Sequence, residues 1–189
     1  ILTLCSIFSF INRLSYFLTF GLQISETDSR FNWICSQYIQ SQGIANFFKW
    51  YDNTSWYPQG RDIGATSFPG LPLLLSYLFN ILSYFRIIIS FESLGIFIGP
   101  FVSTLNPLFF YLFVKLITKQ TSIALLSAFI SSNLSILVNN SFSGFLDNQA
   151  ISLTIILIEF YLFSKNILEK VNMRNIIIMT FLYGFLCLN

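Results

Sequence analysis

The segment SLGIFIGPFVSTLNPLFFYLFV, residues 93–114, contains no charged residue. A bilayer core of about 30 Å is crossed by a helix of roughly 20 mostly apolar residues, so this segment is long enough to span a membrane. Charge-free runs also cover residues 63–85 and 120–146, and another apolar run covers residues 150–163 with one acid, Glu159. The pattern predicts several membrane helices.

The composition of the whole chain agrees with this prediction. Of its 189 residues, 54% are hydrophobic and 10% are charged, and the mean hydropathy is +0.69. Such a composition is typical of integral membrane proteins. The net charge is only +2 and no stripe of Lys and Arg occurs, so we exclude nucleic acid as a partner. Because the chain has no His, any metal ion would be held by oxygen atoms, which favours a hard dication.

The apolar runs and the polar segments between them define the predicted organisation. Residues 1–24 are predicted to be the first membrane helix, with Arg13 either facing other helices or extending towards the headgroups. Residues 25–68 are predicted to be the first external loop, in which spaced aromatic residues indicate short amphipathic helices at the membrane surface. Residues 69–189 are predicted to contain further membrane helices and a second external loop near residues 140–149.

The basic residues predict which loops lie on the cytoplasmic side. Lys115, Lys119 and a basic patch between residues 165 and 174 belong there by the positive-inside rule. The first external loop and Asp147 would then share the opposite face, which allows only one crossing between residues 63 and 114. One of the two apolar runs in that interval must cross only partly, and the sequence leaves open which one.

Three polar motifs stand at the ends of the apolar runs. They are ETDSRFN at residues 26–32, WYPQGR at residues 56–61 and NSFSGFLDNQ at residues 140–149. Together they resemble the STT3 family, the catalytic subunit of oligosaccharyltransferase. The family patterns are Glu-Phe-Asp-Pro-Trp-Phe-Asn, Trp-Tyr-Pro-Leu-Gly-Arg, and Ser-Arg-Ser-Val-Ala-Gly followed by Asp-Asn-Glu. The resemblance extends over essentially the whole chain.

This resemblance implies an all-α polytopic membrane protein with the transmembrane module of GT-C type glycosyltransferases, embedded in membrane lipid. It implies transfer of an oligosaccharide from a dolichyl pyrophosphate carrier to asparagine in Asn-x-Ser/Thr sequons of an acceptor polypeptide. The expected place is the lumenal face of the endoplasmic reticulum membrane, alongside other oligosaccharyltransferase subunits. The family's later acidic loop and Trp-Trp-Asp-Tyr-Gly motif lie beyond Asn189, so residues 1–189 alone are expected to be inactive.

The resemblance also implies roles for individual residues. Asp28 would help to hold a Mn²⁺ or Mg²⁺ ion and engage the acceptor amide, and Asp147 would be a second metal ligand. Gln149 stands where the family has a carboxylate. Its carbonyl oxygen can still coordinate a metal, but with one negative charge fewer it should bind a dication more weakly. Tyr57 and Arg61 are candidates for substrate binding, since a guanidinium suits phosphate.

Each of these residues also has a simpler explanation. An aspartate at a helix end is commonly a cap, and Trp and Tyr commonly anchor a loop among the lipid headgroups. Pro58 and Gly60 favour a tight turn whatever the function. For Arg61, Asp52 and Asp62 are alternative partners.

Two departures from the family pattern leave a second functional class open. Asn140 replaces the family's arginine and Gln149 replaces its acid, so charges of opposite sign are lost together. This balance favours a drifted but functional site. The alternative is a non-catalytic relative that serves complex assembly or lipid binding. A transporter is the weakest interpretation, because paired broken helices are missing.

Overall fold

The computed structural model describes all of residues 1–189 and is built almost entirely of helices. Its two strands are two residues long and pair as an antiparallel hairpin, with Tyr51 opposite Asp62. In chain order the elements are α1 Leu2–Arg13, α2 Ser15–Phe20, α3 Thr27–Gln42, α4 Ile44–Phe47, β1 Tyr51–Asp52, β2 Arg61–Asp62, α5 Ile63–Thr66, α6 Gly70–Tyr84, α7 Phe91–Ser103, α8 Asn106–Thr118, α9 Thr121–Asn133, α10 Ser135–Asn139, α11 Asn148–Leu168 and α12 Met173–Leu186.

Three stretches of helix are long and apolar enough to cross a membrane. They are Leu2–Phe20 with 19 residues, Phe91–Thr118 with 28 residues, and Asn148–Leu168 with 21 residues. The shorter apolar helices α6, α9 and α12 pack beside them. The predicted fold class, an all-α polytopic membrane protein, is confirmed.

The first stretch is interrupted at Leu14. α1 ends at Arg13, which is fully buried, and α2 begins at Ser15. Arg13 therefore faces the helix bundle and does not extend towards the headgroups. A charged side chain in a membrane helix needs polar neighbours, and α1 itself provides them. The carbonyl and hydroxyl oxygens of Ser9 accept hydrogen bonds from Arg13 Nη1 at 2.8 and 2.7 Å.

The segment 25–68 is an ordered layer of short elements, comprising α3, α4, the hairpin and α5. The ring of Tyr38 in α3 stacks on that of Trp50 with centroids 4.1 Å apart, which fixes the chain entering the hairpin against α3. A small buried apolar cluster joins α3, α4 and α5; its members are Cys35, Ile39, Phe47 and Ile63.

Helix α6 lies alongside α3. The hydroxyl of Ser76 donates to the carbonyl oxygen of Ser36 at 3.1 Å, and Gln40 Nε2 donates to Asn80 Oδ1 at 2.8 Å, so the two helices run in the same direction. With 15 residues, α6 is too short to cross a bilayer core of about 30 Å at about 1.5 Å per residue. Helices α7 and α8 instead provide the single long stretch in this part of the chain.

The main apolar core lies where α6, α7 and α11 meet. Leu146 is fully buried in this core. Because Leu146 directly precedes Asp147, the core packs immediately beneath the start of α11 and supports the loop before it. The buried members of the core are Leu71, Leu75, Leu94, Ile98, Leu146, Ile151 and Ile155.

Candidate functional site

Asp28 lies exposed in the first turn of α3. A carboxylate is favoured there because the unbonded N–H groups of the first turn carry partial positive charge. One turn further along the same face, Asn32 is buried and its Nδ2 donates to the carbonyl oxygen of Leu146 at 3.1 Å. This hydrogen bond joins the first turns of α3 to the residue before Asp147.

Asp147 is the N-cap of α11. Its Oδ1 accepts a hydrogen bond from the N–H of Asn148 at 2.7 Å. Aspartate is a preferred N-cap because its side chain satisfies a helix donor that has no partner in the helix. Asp147 therefore does act as a helix cap, as the simpler explanation proposed. Capping uses Oδ1 and leaves Oδ2 available to a ligand.

The carboxyl group of Asp147 has a raised pKa. Burial is the larger cause, because it disfavours the charged form, and the negative charge of Asp28 adds to it, while the hydrogen bond from the N–H of Asn148 acts in the opposite direction. The hydrogen bond from Asn32 to the carbonyl oxygen of Leu146 brings the start of α3 close to the start of α11, and the charge of Asp28 therefore reaches the carboxyl group of Asp147. The structure thus brings together two predicted acids from distant parts of the sequence, and a cation would relieve their repulsion.

Two amides directly follow Asp147 in the chain. Gln149 is exposed in the first turn of α11, and Asn148 Oδ1 is buried without a hydrogen-bond partner. No three His, Cys, Asp or Glu side chains of the chain come together as metal ligands. Two carboxylates with amide oxygens are the ligand type that Mg²⁺ and Mn²⁺ prefer, but they are too few to fill an octahedral shell. The residues fit such an ion only if water or further groups complete its coordination.

Tyr57 and Arg61 are the predicted substrate-binding residues. Tyr57 lies in the segment that joins β1 to β2, and Arg61 is the first residue of β2. The guanidinium of Arg61 lies over the rings of Phe31 and Trp56, 4.9 and 5.2 Å from their centroids. Its hydrogen bonds go to the hydroxyl and carbonyl oxygens of Thr66, at 3.0 and 3.3 Å. Tyr57 is 84% exposed. Because Phe31 belongs to α3, Arg61 fastens the hairpin to the helix that carries the first acid.

The two acids offered by the sequence as partners for Arg61 are engaged elsewhere. Asp52 accepts hydrogen bonds from the hydroxyl of Ser55 and from the hydroxyl and N–H of Thr54, and these lower its pKa to about 2. Asp62 caps α5 through its side chain. Arg61 is therefore held by aromatic rings and by neutral oxygens.

The loop at residues 140–147 makes backbone contacts that were not predicted from the sequence. The N–H of Gly144 donates to the carbonyl oxygen of Ile96 at 2.9 Å. The carbonyl oxygen of Gly144 accepts from the N–H of Ser25 at 2.9 Å and from its hydroxyl at 3.1 Å. A signal was present, because glycine alone readily adopts the observed φ of +85°. These bonds connect the second loop to α7 and to the residues that lead into α3.

Comparison with known proteins agrees with this arrangement. The family described as Oligosaccharyl transferase STT3, N-terminal, matches residues 1–188. The chain is 32% identical over 165 residues to the STT3B subunit of dolichyl-diphosphooligosaccharide–protein glycosyltransferase of Arabidopsis thaliana, which covers 87% of this chain and 22% of that protein.

Two further relatives give the same result. Identity is 31% over 166 residues to the STT3A subunit of Oryza sativa subsp. japonica, covering 88% of this chain and 21% of that subunit. It is 30% over 165 residues to the stt3 subunit of Schizosaccharomyces pombe, covering 87% and 22%. The chain thus spans about a fifth of the length of the curated relatives it matches. The chain belongs to the STT3 family of oligosaccharyltransferase subunits.

Proposed function

We propose that this chain is the part of an oligosaccharyltransferase that supplies two acids of the site for protein N-glycosylation. The reaction would move a preassembled oligosaccharide from a dolichyl pyrophosphate carrier to the asparagine of an Asn-x-Ser/Thr sequon in an acceptor polypeptide. Family membership supports the reaction. The observation that carries the proposal is the contact between the starts of α3 and α11, where Asn32 donates to the carbonyl oxygen of Leu146 and so brings Asp28 and Asp147 near one another although they are far apart in sequence.

The chemistry explains why neighbouring acids suit this reaction. An amide nitrogen is a poor nucleophile, because its lone pair is delocalised into the carbonyl group. Asp28, exposed at the start of α3, would accept hydrogen bonds from the acceptor amide N–H groups and hold that nitrogen in place. A Mn²⁺ or Mg²⁺ ion would offset the charge of the departing pyrophosphate, with Asp28, Asp147 and the amide oxygen of Gln149 among its ligands.

The hairpin is proposed to contact the lipid-linked substrate. Tyr57 is largely exposed, and the guanidinium of Arg61 hydrogen-bonds only through Nε and Nη2. Its remaining N–H groups can donate to a phosphate oxygen. Because Arg61 is already braced by two rings, little side-chain entropy would be lost on binding.

We further propose that the site faces the lumen of the endoplasmic reticulum, in a complex with other oligosaccharyltransferase subunits and in contact with membrane lipid. In this arrangement residues 25–68 form the first external loop and residues 140–149 the second. Residues 1–24 cross the membrane once before them. Because residues 1–189 correspond to about a fifth of the relatives' length, this part alone is expected to be inactive.

Replacement of Asp28 in the full-length protein tests the proposal. Cells that depend on this protein for sequon glycosylation would carry Asp28→Ala, with Glu92→Gln as the control, since Glu92 is an exposed acid in the first turn of another helix. We expect reporter glycosylation to be lost with Asp28→Ala at normal protein level and to be retained with Glu92→Gln.

The amides at Gln149 and Asn140, which stand where the family has an acid and an arginine, favour a second candidate function. With two acids and no third, the chain could be a non-catalytic relative that serves complex assembly or lipid binding. In that case Asp28→Ala would leave sequon glycosylation unchanged, and loss of the whole protein would lower the amount of the other subunits.

A further inference from the structure

Helix α7 contains a proline that leaves one of its carbonyl groups without a helical partner. In an α-helix each carbonyl oxygen accepts from the N–H four residues later. For Ile96 that residue is Pro100, which has no N–H. The vacant position is filled from outside the helix, because the N–H of Gly144 donates to the carbonyl oxygen of Ile96 at 2.9 Å. Pro100 therefore creates the acceptor to which the loop at residues 140–147 binds.

A second helix interruption binds the same loop. At the break after α1, the carbonyl oxygen of Arg13 accepts from the N–H of Ser143 at 2.8 Å. The N–H of Phe17, which would meet that oxygen in a continuous helix, donates to the hydroxyl oxygen of Ser143 at 2.9 Å. Ser143 thus bonds both the carbonyl group and the N–H group that would pair with each other in a continuous helix. The neighbouring Gly144 donates to the free carbonyl oxygen of α7.

The loop at residues 140–147 packs closely against the backbone of neighbouring segments. A Cβ atom added at Gly144 would lie 2.3 Å from the carbonyl oxygen of Gln23, and one added at Gly99 would lie 3.4 Å from the carbonyl oxygens of Ser141 and Phe145. The approach at Gly144 requires glycine, whereas a Cβ atom at Gly99 would make ordinary contact with the loop. The loop is wedged between α7 and the segment that leads into α3, and it ends at Asp147.

We propose that Pro100 is a positioning residue, which fixes the loop at residues 140–147, and with it Asp147, by keeping the Ile96 carbonyl oxygen free to accept from Gly144. The loop is short and has Ser143 and Gly144 bonded to two different helices. Its last residue therefore has little freedom to move relative to Asp28. The expected effect of Pro100 on oligosaccharide transfer rests on the proposed function. The docking of the loop by Pro100 does not depend on that function.

Amide hydrogen exchange in the full-length protein, reconstituted in lipid nanodiscs, tests this proposal. In Pro100→Ala the new N–H competes with Gly144 for the Ile96 carbonyl oxygen. We expect amides of residues 141–147 to exchange about tenfold faster or more, while α9 exchanges as before. Pro107→Ala is the matched control. Pro107 is equally buried but lies in the first turn of α8, where an N–H makes no hydrogen bond within that helix.

The outcomes separate the positioning role from a general loss of stability. Faster exchange confined to residues 141–147 in Pro100→Ala, and absent from Pro107→Ala, supports the proposal. Gly144→Ala should reproduce it from the loop side, because its Cβ cannot be accommodated. Unchanged exchange of these residues in Pro100→Ala, or faster exchange throughout α9 as well, would overturn it.

A transfer assay on the same variants provides the second readout. A residue that positions Asp147 should lower kcat about tenfold or more in Pro100→Ala and leave the KM for the acceptor peptide near that of the wild type. A lowered kcat without faster loop exchange would contradict positioning through the loop. Absence of transfer by the unmodified full-length protein would count against the proposed function alone, since hydrogen exchange would still decide whether Pro100 docks the loop.

Discussion

The Nε of Arg13 donates to the hydroxyl oxygen of Ser141 at 2.6 Å, and both side chains are buried. The other hydrogen bonds of this guanidinium go to Ser9, and its Nη2 has no partner. This buried arginine depends on neutral oxygens alone, and α1 carries no other charged residue. Such a charge is held at considerable cost, so the loss of even one acceptor should be felt.

Ser141→Ala should destabilise the protein by about 1.5–3 kcal/mol, because a buried charged donor would lose its acceptor. The matched control is Ser131→Ala. Ser131 is as buried, but its hydroxyl donates only to Ala128 of its own helix, so its loss should cost less than about 1 kcal/mol. Thermal unfolding of the full-length protein in detergent measures the difference.

A double variant separates the hydrogen bond from the volume of the serine side chain. Adding Arg13→Met to Ser141→Ala removes the buried charge together with its need for an acceptor. We expect the double variant to unfold at a higher temperature than Ser141→Ala alone. If the stability losses of the two single variants added up to that of the double variant, Arg13 and Ser141 would not be coupled. Their hydrogen bond would then not help to stabilise the loop.

Gln149→Glu should strengthen metal binding without increasing transfer. The added carboxylate beside Asp147 should tighten Mn²⁺ binding by about tenfold. It also adds a third negative charge that no arginine balances, so transfer should rise only when Asn140→Arg is introduced as well. Gln59→Glu is the control, since Gln59 is an exposed amide of the hairpin. Mn²⁺ titration and a transfer assay check the two parts; a rise in transfer with Gln149→Glu alone would contradict the balanced loss of charge.

The elements that depend on local pattern could be predicted from the sequence. The apolar runs 1–24, 93–114 and 150–163 predicted the three long stretches of helix, whereas the charge-free runs 63–85 and 120–146 form shorter helices. The aromatic spacing of residues 25–68 predicted the helical layer in which Tyr38 meets Trp50. Pro58 and Gly60 predicted the turn between β1 and β2. In each case a short range of residues determines the structure, through periodicity or through a restricted backbone angle.

The features that depend on contacts between distant segments could not be predicted. The break at Leu14 has no Pro or Gly nearby, and what fills it is Ser143, far along the chain. The neighbourhood of Asp28 and Asp147 was expected only through the family resemblance, since nothing local in either motif requires it. Pro100 shows in the sequence that the carbonyl oxygen of Ile96 has no donor within the helix. The sequence does not show that the N–H of Gly144 fills this position.

Helix α6 should not cross the membrane, because it is short and lies along α3. Asp62 precedes it and Arg86 follows it, and both are exposed. In a Cys187→Ser background, a membrane-impermeant maleimide should label Asp62→Cys and Arg86→Cys from the same side. The control Lys119→Cys, beyond the long helical stretch, should be labelled from the other side. If Arg86→Cys were labelled from the same side as Lys119→Cys and not from the side of Asp62→Cys, α6 would span the bilayer.

Cys35 should resist alkylation at neutral and mildly alkaline pH. Burial raises the pKa of its thiol to about 11, and the positive charge of Arg61 offsets this only in part. The folded-state pKa lies above the ordinary value of 9.0, so the buried neutral thiol contributes stability below that value and loses it as the pH rises towards 11. Iodoacetamide should therefore label Cys35 slowly in the folded protein at about pH 8 and much faster after unfolding; equal rates in the two states would contradict this.

Arg61→Lys should loosen the hairpin although it keeps the positive charge. Lysine cannot reproduce the flat guanidinium between Phe31 and Trp56, so we expect a loss of about 1 kcal/mol and faster proteolysis between β1 and β2. Arg30→Lys is the control, because Arg30 is an exposed arginine of α3.

The same pair of variants distinguishes two roles for Arg61. If Arg61 acts mainly as a brace, transfer and protease resistance should fall together in Arg61→Lys, and neither should change in Arg30→Lys. If transfer falls while the hairpin remains as resistant as in the wild type, Arg61 acts through its contact with the substrate, since a lysine supplies charge but not the paired donors that a phosphate oxygen pair would accept.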